Sequence, residues 1–124
     1  LEAIYEGALT VELERRGLAV ERQKSLPVVY EGVDLGLGLR LDLLVERKVV
    51  VELKSVEQLQ PVFFKQTLSY MRLGGYRLGF LINFNVPRLK EGIKRIVNDL
   101  PSNRYASSSP SSRASRPSRE TSDA

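Results

Sequence analysis

Two short aliphatic runs, each interrupted by one acid, constrain the fold of this chain more than any other feature. In Leu41-Asp42-Leu43-Leu44-Val45 a carboxylate stands among leucines, and in Val49-Val50-Val51-Glu52-Leu53-Lys54 an acid and a lysine follow three valines. Runs this apolar read as buried strands. A lone carboxylate in such a place carries a desolvation penalty of several kcal/mol unless it meets a partner. The strand period of two puts Glu52 and Lys54 on one face, with Val51 and Leu53 on the other. Where Asp42 points depends on the turn. A two-residue loop, Arg47-Lys48, sets Asp42 opposite Leu53 and away from Glu52, whereas a three-residue loop, Glu46-Arg47-Lys48, sets it opposite Glu52. The turn residues do not decide, because neither loop has the Gly or Asn that tight hairpins favour. A shared site needs the odd loop or a bulge, and that arrangement is the expectation here.

The rest of the chain supplies layers for these strands. Ile4, Ala8 and Val11 recur at helical spacing over residues 1–16, with Gly17 where a helix C-cap belongs. Residues 19–30 alternate in short β-like pieces interrupted by Pro27, and Glu31-Gly32-Val33-Asp34 reads as a turn. Residues 37–46 and 49–54 are the two clearest strands. Pro61 suits the first turn of a second helix through about residue 73, striped by Phe64, Leu68 and Met71 and ended by Gly74-Gly75. Residues 76–84 form an apolar strand. After Pro87, residues 89–99 read as a short basic helix with Ile93, Ile96 and Val97 on one face. The order of helix, three strands, helix, strand and helix predicts a mixed α+β sheet with helices packed on it.

Of the 124 residues, the last 24 hold nine serines, three prolines and four arginines, too little apolar surface to offset an ordering entropy of roughly 1–2 kcal/mol per residue. The expected folding unit is therefore residues 1–100, with residues 101–124 a disordered tail. The tail also carries half of the net charge of +4, so the folded part is only mildly basic. With no Cys and no His, disulfides, thiolate zinc sites, cysteine nucleophiles and imidazole bases are excluded. No apolar run approaches the roughly 20 residues that span a bilayer, and no signal peptide is evident, so a cytoplasmic protein without membrane contact is expected. The first residue is Leu, and the natural start is expected to precede it.

What chemistry remains must use carboxylates, lysine, hydroxyls or a hard metal. Asp42 and Glu52 together suit Mg²⁺, with Mn²⁺ an alternative, because such an ion keeps several waters and bridges carboxylates to phosphates. Lys54 would orient the attacking water or stabilise developing charge. A structural Asp-Lys or Glu-Lys ion pair at a sheet edge accounts for the same spacing.

Asp42, a short hairpin and then Glu52-x-Lys54 resemble the active-site signature of the PD-(D/E)XK nuclease superfamily, and the element order is similar to its restriction-endonuclease-like core. Gln66-Thr-Leu-Ser-Tyr70 resembles the Gln-x-x-x-Tyr spacing of its exonuclease-like branches. Glu2-Ala-Ile-Tyr5 resembles the end of the Gly-x-x-Glu-x-x-Tyr motif of the GxxExxY proteins, whose glycine would lie before residue 1, so that the first helix is expected to be truncated. Glu21-Arg22-Gln23-Lys24, Leu43-Leu44-Val45 and Leu81-Ile82-Asn83-Phe84 add to the likeness, which covers about residues 1–98. Phe63-Phe64 stand where such relatives tend to have His-Glu. The resemblance implies a metal-dependent nuclease acting on nucleic acid, DNA before RNA. In it Asp42 and Glu52 are metal ligands, Lys54 is the catalytic lysine, Glu2 is a further acidic member, and Gln66 and Tyr70 orient the site or contact a strand. Arg88, Lys90, Lys94 and Arg95 are candidates for phosphate contact or simply a solvated face. The rival reading is a catalytically silent nucleic-acid-binding or protein-interaction module on the same scaffold.

Overall fold

The two helices end by the same device. In the computed structural model, which describes residues 1–99, α1 (Glu2–Arg15) stops at Gly17, whose φ is +83°, and α2 (Pro61–Gly74) stops at Gly75, whose φ is +74°. In each case the N–H of the residue after that glycine reaches back to a carbonyl, Leu18 to Leu13 at 3.1 Å and Tyr76 to Met71 at 2.8 Å. This closure needs a left-handed residue, which glycine supplies without a Cβ clash. Pro61 opens α2, where its missing N–H leaves no bond unmade.

Between and after the helices run β1 (Val20–Tyr30), β2 (Val33–Val45), β3 (Val49–Lys54), β4 (Leu78–Asn83) and, following a 3₁₀ turn at Leu89–Gly92, β5 (Ile93–Val97). They form one sheet in the order β1-β2-β3-β4-β5. β3 and β4 pair in parallel because α2 carries the chain across the sheet between them, and the other neighbours are antiparallel. This is the mixed α+β sheet that the residue pattern predicts. One face buries Leu43, Val45, Val51, Leu53 and Ile82 under Leu9 and Leu13 of α1. The other buries Leu26, Leu41, Leu44 and Val50 under Met71 and Tyr70 of α2. Leu41 and Leu43, two residues apart, lie in opposite clusters, so the alternation of β2 is interrupted at Asp42.

Three elements differ from expectation. β1 runs unbroken through Pro27, with a bulge between Pro27 and Val29; it is an edge strand, where a missing N–H is tolerated. β2 begins at Val33 and pairs with β1 well beyond the reach of β3, so the tip of this hairpin leaves Val29, Tyr30, Val33, Leu35 and Leu37 exposed. The basic helix expected over residues 89–99 is instead the 3₁₀ turn and β5. Ile93, Ile96 and Val97 are β-branched, and pairing them along the open edge of β4 satisfies its hydrogen bonds. Lys94 and Arg95 consequently point to opposite faces of a strand. The expectation of a disordered tail over residues 101–124 lies outside the described residues.

Gly92 is buried where the chain turns into β5, and a β-carbon there would collide with the backbone carbonyl of Asn83. Because the obstacle is main chain, Gly92→Ala is expected to destabilise the fold by about 1–3 kcal/mol, read as a lower midpoint in urea unfolding.

Candidate active site

The β2–β3 turn has three residues, Glu46, Arg47 and Lys48, since Val45 pairs with Val49, Leu44 with Val50 and Leu43 with Val51. One step further Asp42 faces Glu52. There the ladder gives way to side chains: the Asp42 N–H donates to Glu52 Oε2 at 2.9 Å, and the Leu53 N–H donates to Asp42 Oδ2 at 2.8 Å. The odd loop holds Glu46 and Arg47 at φ of +54° and +56°, a conformation costing about 1–2 kcal/mol each in residues with a Cβ. Ala19 helps to hold it, donating to the Glu46 carboxylate at 2.6 Å and accepting the Glu46 N–H at 2.8 Å.

Glu52 is 8% exposed. Its burial, and next the charge of Asp42, push its carboxyl up to about 8, against the opposing hydrogen bond from the Asp42 N–H and the charge of Lys54. Asp42 is raised as well, first by burial and then by the charges of Glu6 and Glu2, while hydrogen bonds from the Leu53 N–H and the Gln23 side chain lower it. Among the described residues no lysine or arginine forms an ion pair with either acid. Lys54 Nζ lies instead over the Phe63 ring, 4.6 Å from its centroid, so α2 positions the lysine through one of the phenylalanines noted in the sequence.

A buried Glu52 facing a half-buried Asp42, with neither acid in an ion pair among the described residues, suits a hard divalent ion, which would lower both pKa values and repay their desolvation. Among the described residues no three acidic side chains are grouped to hold a metal, so waters and substrate oxygens would complete the coordination.

Glu2 reaches the same end of β3, where its Oε2 accepts the Ser55 N–H at 3.2 Å. Tyr5 stacks on Phe84 with ring centroids 4.4 Å apart, and the Phe84 N–H donates to the Lys54 carbonyl at 2.9 Å, so the two motif residues of α1 are tied to the strand carrying Lys54. Gln66 and Tyr70 come together on α2, the amide donating to the phenol oxygen at 2.9 Å, and neither bonds to Asp42, Glu52 or Lys54. The Tyr70 ring packs on the core beneath α2.

Sequence reasoning gave no role to two residues here, Glu6 and Asn83. Glu6 is 7% exposed and accepts from Arg22 Nε at 3.0 Å and from Gln23 Nε2 at 2.7 Å. Its signal was its spacing, four residues after Glu2 and thus on the same helix face. Asn83 is 3% exposed, donates to the Val56 carbonyl at 2.8 Å and accepts the Val56 N–H at 3.0 Å, which fixes the chain just past Lys54.

A family model of the PD-(D/E)XK nuclease superfamily matches residues 1–96, and the chain belongs to that superfamily. No curated protein sequence matches it. Among solved structures, LHK-Exo in complex with dAMP is similar with a TM-score of 0.56 and 16% identity, over 78% of this chain and 55% of that one. The alkaline exonuclease LHK-Exo from Laribacter hongkongensis is similar with a TM-score of 0.55 and 16% identity, over 78% of this chain and 56% of that one. The chain therefore spans about half the length of that exonuclease, and at this identity the likeness is one of fold.

Because folding raises the proton affinity of Glu52 from an ordinary 4.5 to about 8, the folded state holds a proton that the unfolded state has lost between those values. Metal-free protein is expected to be most stable below about pH 4.5 as far as this group is concerned, and to lose stability as pH rises to about 8. Glu52→Gln should flatten that slope and raise the urea midpoint at pH 8, whereas an unchanged slope would remove Glu52 as its source.

Proposed function

We propose that this chain is a divalent-metal-dependent nuclease that hydrolyses phosphodiester bonds in nucleic acid, with DNA favoured over RNA and Mg²⁺ or Mn²⁺ as the ion. The observation that carries this reading is the reciprocal Asp42–Glu52 pair at the end of the β2–β3 ladder, with Lys54 one strand period beyond Glu52. Membership of the superfamily supports it, since such nucleases are generally divalent-metal dependent. The preference for DNA draws on the similar fold of an exonuclease held with a deoxynucleotide, dAMP. Within the superfamily we assign the chain to the GxxExxY group on Glu2 and Tyr5, and take residues 1–100 as its folding unit. No described helix is long and apolar enough to cross a membrane.

In this reading the carboxylates of Asp42 and Glu52 hold the ion, whose chemistry is to acidify a bound water and neutralise charge on the phosphoryl group. Lys54, kept from folding back by the Phe63 ring, donates from Nζ to the attacking water or a phosphoryl oxygen. Glu2 adds negative charge at the same strand end and fixes the Ser55 N–H. Gln66 and Tyr70, half a helix away, offer an amide and a phenol to the substrate strand.

The test is incubation of the full chain with single-stranded, duplex and branched DNA and RNA in Mg²⁺ or Mn²⁺, beside Asp42→Ala and Lys54→Ala. Each substitution is expected to lower the rate by about 100-fold or more, and chelation to abolish it. Equal cleavage by all three proteins would mean a contaminant. Salt-sensitive binding without turnover would replace the nuclease by a binding module.

A further inference from the structure

Arg22 and Gln23 are consecutive in β1, so their side chains should leave opposite faces of the sheet. Both nevertheless reach the carboxylate of Glu6, Arg22 Nε to Oε2 at 3.0 Å and Gln23 Nε2 to Oε1 at 2.7 Å. What allows it is the backbone of Gln23, whose φ is +50°. That conformation is unfavourable for any residue with a Cβ, and it persists only where the surroundings enforce it. Neutralising the buried Glu6 does not require it, because the Arg22 guanidinium already supplies the opposite charge.

The register indicates what the distortion achieves. Arg22 pairs with Leu43 and Lys24 with Leu41, so Gln23 lies across from Asp42, and at that step the paired ladder is interrupted. From that position the Gln23 amide also acts as a hydrogen-bonding group that holds the Asp42 carboxyl down against its burial. A glutamine amide nitrogen carries two hydrogens, which matches two carboxylate acceptors, Glu6 on one side and Asp42 on the other. A lysine here would span them too, but its charge would compete with a cation on Asp42. A neutral amide fixes the carboxylate and leaves its charge available.

We propose that Gln23 is a positioning residue that fixes the Asp42 carboxylate for binding a divalent cation, and that Glu6, itself anchored by Arg22, holds Gln23 in its left-handed conformation. This rests on the reading of Asp42 as a metal ligand. Partners of this kind, one shell out from the ion, typically account for 10- to 100-fold in metal affinity.

The experiment is Mn²⁺ titration of the full chain by calorimetry, without nucleic acid, for wild type, Asp42→Ala, Gln23→Asn and Gln23→Gly, with Tm measured on each. Asn accepts a left-handed backbone but is too short to bridge, and Gly relieves the strain while removing the amide. Both are expected to keep a cooperative thermal transition, with Tm no lower than a few degrees below wild type, and to raise the Mn²⁺ Kd by about 10-fold or more. Loss of binding in Asp42→Ala with wild-type affinity in both Gln23 variants overturns the positioning role alone. Wild-type affinity in Asp42→Ala overturns the metal reading beneath it. If both Gln23 variants fail to fold, Gln23 is a structural residue and the proposal is overturned as well.

Discussion

The carboxylates of buried Glu52 and half-buried Asp42 each accept a main-chain N–H from the strand that carries the other, Asp42 to Glu52 and Leu53 to Asp42, at 2.9 and 2.8 Å. Hydrogen bonds to charged groups contribute about 1.5–3 kcal/mol each, which offsets only part of the several kcal/mol that burying an ion costs. The unbalanced remainder appears as the raised carboxyl of Glu52. The exchange also stands where the paired β2–β3 register ends, so side chains replace the ladder where the acids meet.

The scaffold fixes the site from both sides. On one face α1 brings Glu2 to the Ser55 N–H and Glu6 to Gln23, with Tyr5 stacked on Phe84 as its foothold. On the other α2 brings Phe63 beneath Lys54. Asn83 at the end of β4 clamps the connection that follows β3, so Lys54 sits on a chain held before and after it. A sheet between two helices thus gathers residues from α1, β1, β2, β3 and α2 at a single strand end.

Much of this was legible in the residues. The apolar runs around Asp42 and Glu52 declared their strands, and the parity of the loop reduced the placement of Asp42 to one countable alternative. Gly17, Pro61 and Gly75 marked helix ends by mechanisms that act locally. What was not legible depended on partners distant in sequence. Ile93, Ile96 and Val97 fit a helical stripe, and only the open edge of β4 makes them a strand. Pro27 looked like an interruption because its tolerance depends on β1 being an edge. Gln23 stood in Glu21-Arg22-Gln23-Lys24 only as part of a likeness, because its left-handed φ and its bond to a helix residue 17 positions earlier have no local signal. Gln66 and Tyr70 were expected to share a face and do, joined by the hydrogen bond between them.

The central claim is that the Asp42–Glu52 pair is built to hold a divalent cation. The most direct measurement is a crystal structure grown with Mn²⁺ and phased on its anomalous signal. The account predicts one manganese bound by an oxygen of Asp42 and an oxygen of Glu52 at about 2.0–2.3 Å, with waters filling the remaining positions. Manganese elsewhere, with both carboxylates still bonded only to the backbone at saturating metal, would contradict it.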